Sequence, residues 1–319
     1  MNKILSTLLC ALFCLYVVTT AQTGKPQSAG RTVALTFDDL PYVNAGQGDY
    51  LTGAKRTTTE LMRVLKVHRA PAIGFVNEGK MFFRNGMDAS VALLQQWLDA
   101  GMTLGNHTYS HADFNAMTVE QFQDEIIKGE AITRRLTEFQ TGDRYFRHPM
   151  TRTGNTKEKK EGIEKFLASR GYKVAPHTIE NSDFIFNHGY ARAKLEKNDA
   201  LAKRLREAYL DLTFAATDIA EKISPQIFGR DIPQVLLLHA NDITTDCLDE
   251  MLRRYEARGY RFITLDEAMS DPAYKTKDTL VSDRGPTWLW RWSKSLGLNI
   301  SFKDDPDPPQ WVMDLYNRR

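Results

Sequence analysis

Cysteine is nearly absent from this chain. The 319 residues hold three, of which Cys10 and Cys14 fall in an apolar N-terminal stretch, leaving Cys247 alone beyond it. A single thiol closes no internal disulfide, so stability must come from a packed core. Excess charge is missing as well: 42 Lys and Arg face 40 Asp and Glu, a formal net charge of +2. Without a basic excess or a basic stripe, nucleic acid is excluded as an ordinary partner. No internal repeat and no low-complexity block is present, which argues against a solenoid. The apolar stretch Ile4 to Val18 is too short to span a membrane comfortably. With Lys3 before it and Thr19-Thr20-Ala21 after it, this stretch reads as a secretory signal over residues 1–21. The expected mature protein begins near Gln22, is exported to a periplasmic or secreted location, and has no stable membrane insertion once the signal is removed; an uncleaved anchor is the alternative.

What is present is ordinary globular composition, with 42% hydrophobic and 26% charged residues. That length accommodates one barrel-like domain of about 250 residues. Residues 22–30 are polar with Gly and Pro and read as a linker; residues 31–270 read as the domain. Strand-like and helix-like runs then alternate. Arg31 to Asp39 is a first strand, Leu40 to Gly53 a loop, and Lys55 to Ala70 a helix on which His68 has a structural role. Pro71 to Val76 is a second strand, followed by a helix capped by Asp88 and ended by Gly101. Met102 to Leu104 is a short strand leading to Asn106 and His107. Thr118 and Gln121 form a capping box for a helix running toward Phe139. Tyr145 to Arg147, Lys173 to Ala175, Asp183 to Phe186, Gln234 to Leu238 and Tyr260 to Thr264 complete the strands. Helices are expected through Ile163 to Leu167, over Leu201 to Ile223, and over Leu248 to Arg258 with Cys247 opening it. Lys157 to Lys160 reads as a solvated helix face. Parallel βα units in this number predict an α/β fold, a distorted, incomplete (β/α) barrel of about seven strands.

The chemistry concentrates at strand ends. The first strand stops on two adjacent carboxylates, Asp38 and Asp39, which strand alternation sends to opposite faces. One Asp in that place is commonly a turn cap; a pair invites a functional reading. Downstream, His107 and His111 stand four apart, a spacing that places both on one face of a helical turn and suits one metal ion. An Asp with two His supplies three ligands and leaves a position for water, the arrangement of a catalytic zinc site. Arg147, Asp183 and His239 also follow or end strands, and such residues converge at the C-terminal edge of a parallel barrel. His239 also admits a plainer reading, as a core histidine bonded to a backbone carbonyl.

Thr36-Phe37-Asp38-Asp39 followed by His107-xxx-His111 resembles the first two motifs of the polysaccharide deacetylases, the NodB-homology or carbohydrate esterase family 4 enzymes. Arg147-His148-Pro149-Met150 resembles the third motif, Arg-x-Pro-Tyr; Asp183-Phe184 resembles the Asp-Trp of the fourth; Leu237-Leu238-His239 resembles the last. The resemblance spans about residues 31–269 and neither end of the chain.

The resemblance implies a set of roles. Asp39, His107 and His111 hold one divalent metal ion, for which two His and a carboxylate suit Zn2+ best and admit Co2+, Ni2+ or Mn2+. Asp38 is the general base, oriented by Arg147; His239 is the general acid, held by Asp183. Met150 replaces the motif's Tyr, whose backbone N–H serves an oxyanion hole, and a backbone donor survives the replacement. Leu237 lines the acetyl pocket, and Phe184 replaces a Trp at its rim. His148 is structural or supports its neighbours, and His177 and His188 receive no role. The implied activity is removal of N-acetyl groups from amino sugars of an acetylated glycan, of peptidoglycan or chitin type. Alternatives are an O-acetyl xylan esterase, a cyclic-amide hydrolase, and a non-catalytic carbohydrate-binding relative. Residues 271–319, with Trp288, Trp290, Trp292 and Trp311, have no counterpart in the resemblance. This extension either packs on the barrel, the favoured reading, or forms an aromatic sugar platform.

Overall fold

The computed structural model describes residues 30–46, 48–82 and 86–318. The expected signal segment 1–21, with Cys10 and Cys14, and nearly all of the linker lie outside the described residues. Among the described residues eight strands form one sheet: β1 (Thr32–Leu40), β2 (Ala72–Val76), β3 (Thr103–Asn106), β4 (Arg144–Phe146), β5 (Tyr172–Val174), β6 (Ile179–Glu180), β7 (Gln234–His239) and β8 (Arg261–Ile263). Their order is β5-β4-β3-β2-β1-β7-β6, every pairing is parallel, and β8 adds to the N-terminal end of β1. This is the expected incomplete (β/α) barrel.

β1 occupies the centre because its sequence tolerates burial on both faces. Val33, Ala34, Leu35, Phe37 and Leu40 are buried, as a strand of a helix-covered parallel sheet requires. Its pairing with β7 sets Asp38 beside His239, and the pairing of β3 with β4 sets Asn106 beside Phe146. The carboxyl ends of four strands thus meet at one edge. The helix Tyr50–Val67 packs Leu61, Val64 and Leu65 inward, and Asp49 caps it through Thr52 N at 2.7 Å.

Several boundaries depart from the sequence reading, each for a local reason. Asp183 to Phe186 is not a strand but the first turn of the helix Asp183–Leu195; Phe186, Tyr190 and Ala193 are buried at helical spacing. The strand of that region is β6, two residues long. The segment from Thr118 toward Phe139 divides into the helices Val119–Lys128 and Thr133–Leu136. The helix Asp242–Ala257 is capped by Asn241 through Thr244 N, so Cys247 lies inside it, buried, rather than opening it. Gly86, not Asp88, precedes the helix Met87–Asp99, and the long helix extends over Asp199–Phe228. His68 is fixed by Asp249 and Glu256, each at 3.0 Å.

The C-terminal segment packs on the barrel. Trp288 and Trp292 are buried, Trp292 edge-on to Phe228 and Tyr274 with ring centroids 5.5 and 5.3 Å away. Lys160 is not solvated as expected; it turns inward to Asp278 Oδ2 of this segment at 2.7 Å. A polar side chain from the extension draws it in, which periodicity of the run Lys157–Lys160 does not reveal.

Gly129 ends the helix Val119–Lys128 against the loop that carries the two histidines. A Cβ there would meet the backbone of Thr108 and Tyr109 at 2.5–2.8 Å. Backbone cannot rotate aside, so Gly129→Ala is expected to destabilise by about 1–3 kcal/mol. Urea denaturation checks it; unchanged stability would show that the loop yields without cost.

Candidate active site

Asp38 and Asp39 do not point to opposite faces of the sheet. Asp39 has φ 71°, a left-handed conformation that short polar residues tolerate, and the β1–β2 register shifts between Phe37 and Leu40. The pleat ends there, so both carboxylates line one cleft of about 300 Å³. Met150, Leu237, Phe184, His107, His111 and His239 line the same cleft. Arg147 and Asp183 stand behind it, each buried and each holding one cleft residue. All ten residues singled out in the sequence therefore meet in one place.

The two histidines arrive on a loop and not on the expected helical turn. Thr108 and His111 have φ 67° and 58°. Asn106 Oδ1 accepts from Thr108 N at 2.8 Å, Tyr109 N donates to Glu125 O at 3.0 Å, and Ser110 N donates to Glu125 Oε2 at 2.7 Å. These partners hold the backbone N–H groups of Thr108, Tyr109 and Ser110 in a loop. His107 Nδ1 donates to Arg147 O at 2.8 Å, which leaves Nε2 as the free nitrogen. That Nε2 lies 3.7 Å from Asp39 Oδ1, and His111 Nε2 lies 3.6 Å from it. The three potential ligand atoms fall within 4.8 Å of one another. Backbone-anchored imidazole, second imidazole and carboxylate are the donor set of a divalent cation.

Charge states agree with that use. Burial, then proximity to His111, pushes His107 well below the ordinary value, and burial also lowers His111, so both are neutral, the state a metal ligand requires. Burial opposes ionisation of Asp39, but the neighbouring Lys80 ammonium foremost outweighs it and holds its carboxyl well below the usual range. Asp38 is pushed up by burial, against the Arg147 guanidinium. Arg147 Nη1 lies 3.5 Å from Asp38 Oδ2 and Nη2 donates to Thr36 Oγ1 at 3.0 Å, while Asp38 Oδ1 is buried without a hydrogen-bond partner. A buried, basic and incompletely satisfied carboxylate is an unusual thing to build without a reason.

Across the cleft, His239 Nδ1 meets Asp183 Oδ1 at 2.6 Å, and His239 N donates to Asp183 Oδ2 at 2.7 Å. Thr244 Oγ1 donates to the same oxygen at 2.8 Å. Burial alone would depress the imidazole, but Asp183 outweighs it and His239 is pushed up to about 9 from 6.5. Its partner is a carboxylate, not the backbone carbonyl of the plainer reading. Phe184 stands edge-on to the ring, 6.0 Å between centroids.

Sequence reasoning missed Lys80, Thr151, Glu180, Thr244 and Gly285. Lys80 Nζ lies 3.1 Å from Asp39 Oδ1; Thr151, Glu180 and Gly285 line the cleft. None carries a motif signal, although Thr151 adjoins one. Met150 and Thr151 have φ 52° and 51°. For non-glycine residues this costs about 1–3 kcal/mol each and persists only where surroundings enforce it. His148 is buried against Phe122 and Phe146 and takes no part in the cleft, and His177 packs on Trp288.

Residues 25–175 match the family model described as polysaccharide deacetylase. The peptidoglycan-N-acetylglucosamine deacetylase of Bacillus cereus is 22% identical over 240 residues, 73% of this chain and 66% of that protein. A chitin deacetylase of Arthroderma benhamiae is 30% identical over 248 residues, 76% of this chain. The chain spans only 52% of the length of that protein. A crystal structure of a polysaccharide deacetylase from Bacillus cereus aligns at 19% identity with TM-score 0.49, covering 73% of this chain and 91% of that one. Through residues 25–175, the chain belongs to the polysaccharide deacetylase family.

Proposed function

We propose that the protein is a metal-dependent N-deacetylase acting on acetylated amino-sugar residues of a peptidoglycan- or chitin-type glycan. One observation carries the reading: the Asp39, His107 and His111 ligand atoms converge within 4.8 Å beside the under-bonded carboxylate of Asp38. An ion held by those three, Zn2+ best and Co2+, Ni2+ or Mn2+ also compatible with the donors, would acidify water and polarise the acetyl carbonyl.

The side chains do the rest. Asp38, steadied through Oδ2 by Arg147, takes a proton from the attacking water. The backbone N–H of Met150 donates to the oxygen that becomes negative as the carbonyl carbon turns tetrahedral. His239 is protonated at neutral pH, its Nδ1–H on Asp183, so Nε2–H is the proton delivered to the departing nitrogen. Acetate and a free amine result. Leu237 receives the acetyl methyl, and Phe184 and Met150, each about two-fifths exposed at 41% and 40%, border the sugar. Among the described residues no helix is long and apolar enough to cross a membrane. An exported location, as the N-terminal segment leads one to expect, suits a polymeric glycan.

Three outcomes test the reading. His107→Ala is expected to lose stoichiometric metal, by elemental analysis of the purified protein, while circular dichroism stays native. Full metal retention would remove the ligand assignment. Asp38→Asn keeps shape and metal but removes the base, so acetate release from N-acetylglucosamine oligomers should fall at least 100-fold, within the usual range for proton-transfer groups. An active Asp38→Asn enzyme would leave the base to be sought elsewhere.

The third concerns His239. A pKa raised from 6.5 to about 9 means that the Asp183 pair stabilises the fold fully below pH 6.5, and that this support is lost as pH rises through about 9. In the metal-free protein, NMR should find the His239 titration near 9, and nearer the ordinary value in Asp183→Asn. His239→Ala should slow acetamide substrates far more than activated aryl acetates, because a phenolate leaves without a proton. Equal losses on both would make His239 structural.

A further inference from the structure

The cleft wall around Met150 is built from both ends of the domain. Arg291 lies in the helix Trp288–Ser295, beyond the matched family region, and is fully buried. Its Nη2 donates to Thr151 O at 2.6 Å and its Nη1 to Thr153 Oγ1 at 2.9 Å. Asp278 Oδ2 neutralises it at 3.1 Å, and Nε donates to Pro286 O at 3.1 Å. Thr151 Oγ1 donates to Gly285 O. A Cβ at Gly285 would overlap Met150 O and Thr151 Oγ1, so this glycine is what lets the segment lie directly on the loop.

Two consecutive non-glycine residues in left-handed conformation do not hold that shape unaided. Within the loop, Thr151 N donates to His148 O at 3.0 Å and Arg152 N to Pro149 O at 3.1 Å, the bonds of one short turn. The remaining hold comes from outside: a guanidinium fork on Thr151 and Thr153, and backbone contact at Gly285. Lys160 joins the same Asp278 and so ties the following helix to the clamp. Arg suits this use because its planar donors reach two acceptors at fixed angles, which a Lys does not.

We propose that Arg291 and Gly285 are positioning residues that clamp the Met150–Thr151 backbone in the conformation needed for the Met150 N–H to meet the reacting oxygen. The C-terminal extension is then part of the catalytic apparatus without touching substrate chemistry itself. This rests on the deacetylase reading above. Neither residue is a metal ligand, a base or an acid. Both act through a backbone donor whose misplacement by about 1 Å is enough to cost on the order of 100-fold in rate.

The test uses the full-length, metal-loaded protein and the variants Gly285→Ala, Arg291→Met and Arg291→Lys, with Lys294→Ala, exposed on the same helix, as control. Acetate release from N-acetylglucosamine oligomers is measured for kcat and KM, alongside metal content and hydrogen exchange of the peptide covering residues 147–153. Gly285→Ala and Arg291→Met are expected to lower kcat about 10–100-fold with KM changed far less, full metal content, and faster exchange in that peptide. Arg291→Lys should recover part of the loss, and Lys294→Ala should match the parent. Unchanged kcat and exchange in Gly285→Ala and Arg291→Met would overturn the clamp. So would a loss shared equally by all peptides, which is general unfolding; Gly285→Ala, which deletes none of the Arg291 donors and leaves its charge paired with Asp278, guards against that outcome. If the parent protein releases no acetate while exchange at 147–153 still rises in the variants, the deacetylase reading fails and the clamp on the loop stands.

Discussion

Two adjacent carboxylates buried at the end of one strand are the constraint around which the rest of this structure is arranged. Moving a carboxylate from water into a protein interior costs several kcal/mol even after relaxation. Asp38 and Asp39 are both buried, and they repel each other. The fold answers each differently. Asp38 has the buried guanidinium of Arg147, which is in turn held by Thr36 and stacked over Phe75, its centre 4.9 Å from that ring. Asp39 has Lys80 and two imidazoles. Compensation is complete for neither, since Asp38 Oδ1 keeps a lone pair unused. A parallel sheet brings this about cheaply, because it aligns the carboxyl ends of β1, β3, β4 and β7 at one edge.

The same edge sorts histidines by their partners. His107 rests its Nδ1 on a backbone carbonyl, is buried beside another imidazole, and stays neutral. His239 rests its Nδ1 on a carboxylate and stays charged near neutral pH. One residue type thus supplies lone pairs on one flank and a proton on the other. The difference lies in a carbonyl of β4's end against a carboxylate at a helix's first turn, supplied by segments distant in sequence from the histidines they tune.

The C-terminal extension completes the picture from outside the matched family region. Trp288 and Trp292 dock it in the core, and Arg291 brings a compensated charge under the loop of Met150. Of the two readings a Trp-rich tail admits, packing on the barrel is the one that Trp288 and Trp292 follow, and the tail's contribution to the cleft is the smallest residue in it, Gly285.

The sequence by itself determined the strand that ends on Asp38 and Asp39, the alternation of strands and helices, and the residue types of the cleft. Those are properties of apolar periodicity and of short motifs, written locally. It misled where a local pattern had two outcomes. Asp183 to Phe186 is apolar enough for a strand, but Phe186, Tyr190 and Ala193 make a helical face visible only once the barrel supplies a surface to bury it. His107 and His111 have helical spacing, but Glu125 and Asn106 compete for the backbone of that loop. Lys160 looks solvated until Asp278 arrives 118 residues later. Only the tertiary structure decided these, along with Lys80 and the Arg291 clamp. The reason is that a buried charge or a left-handed residue is stable only with a partner, and the partner's address lies in the packing of the whole chain and not in the segment that needs it.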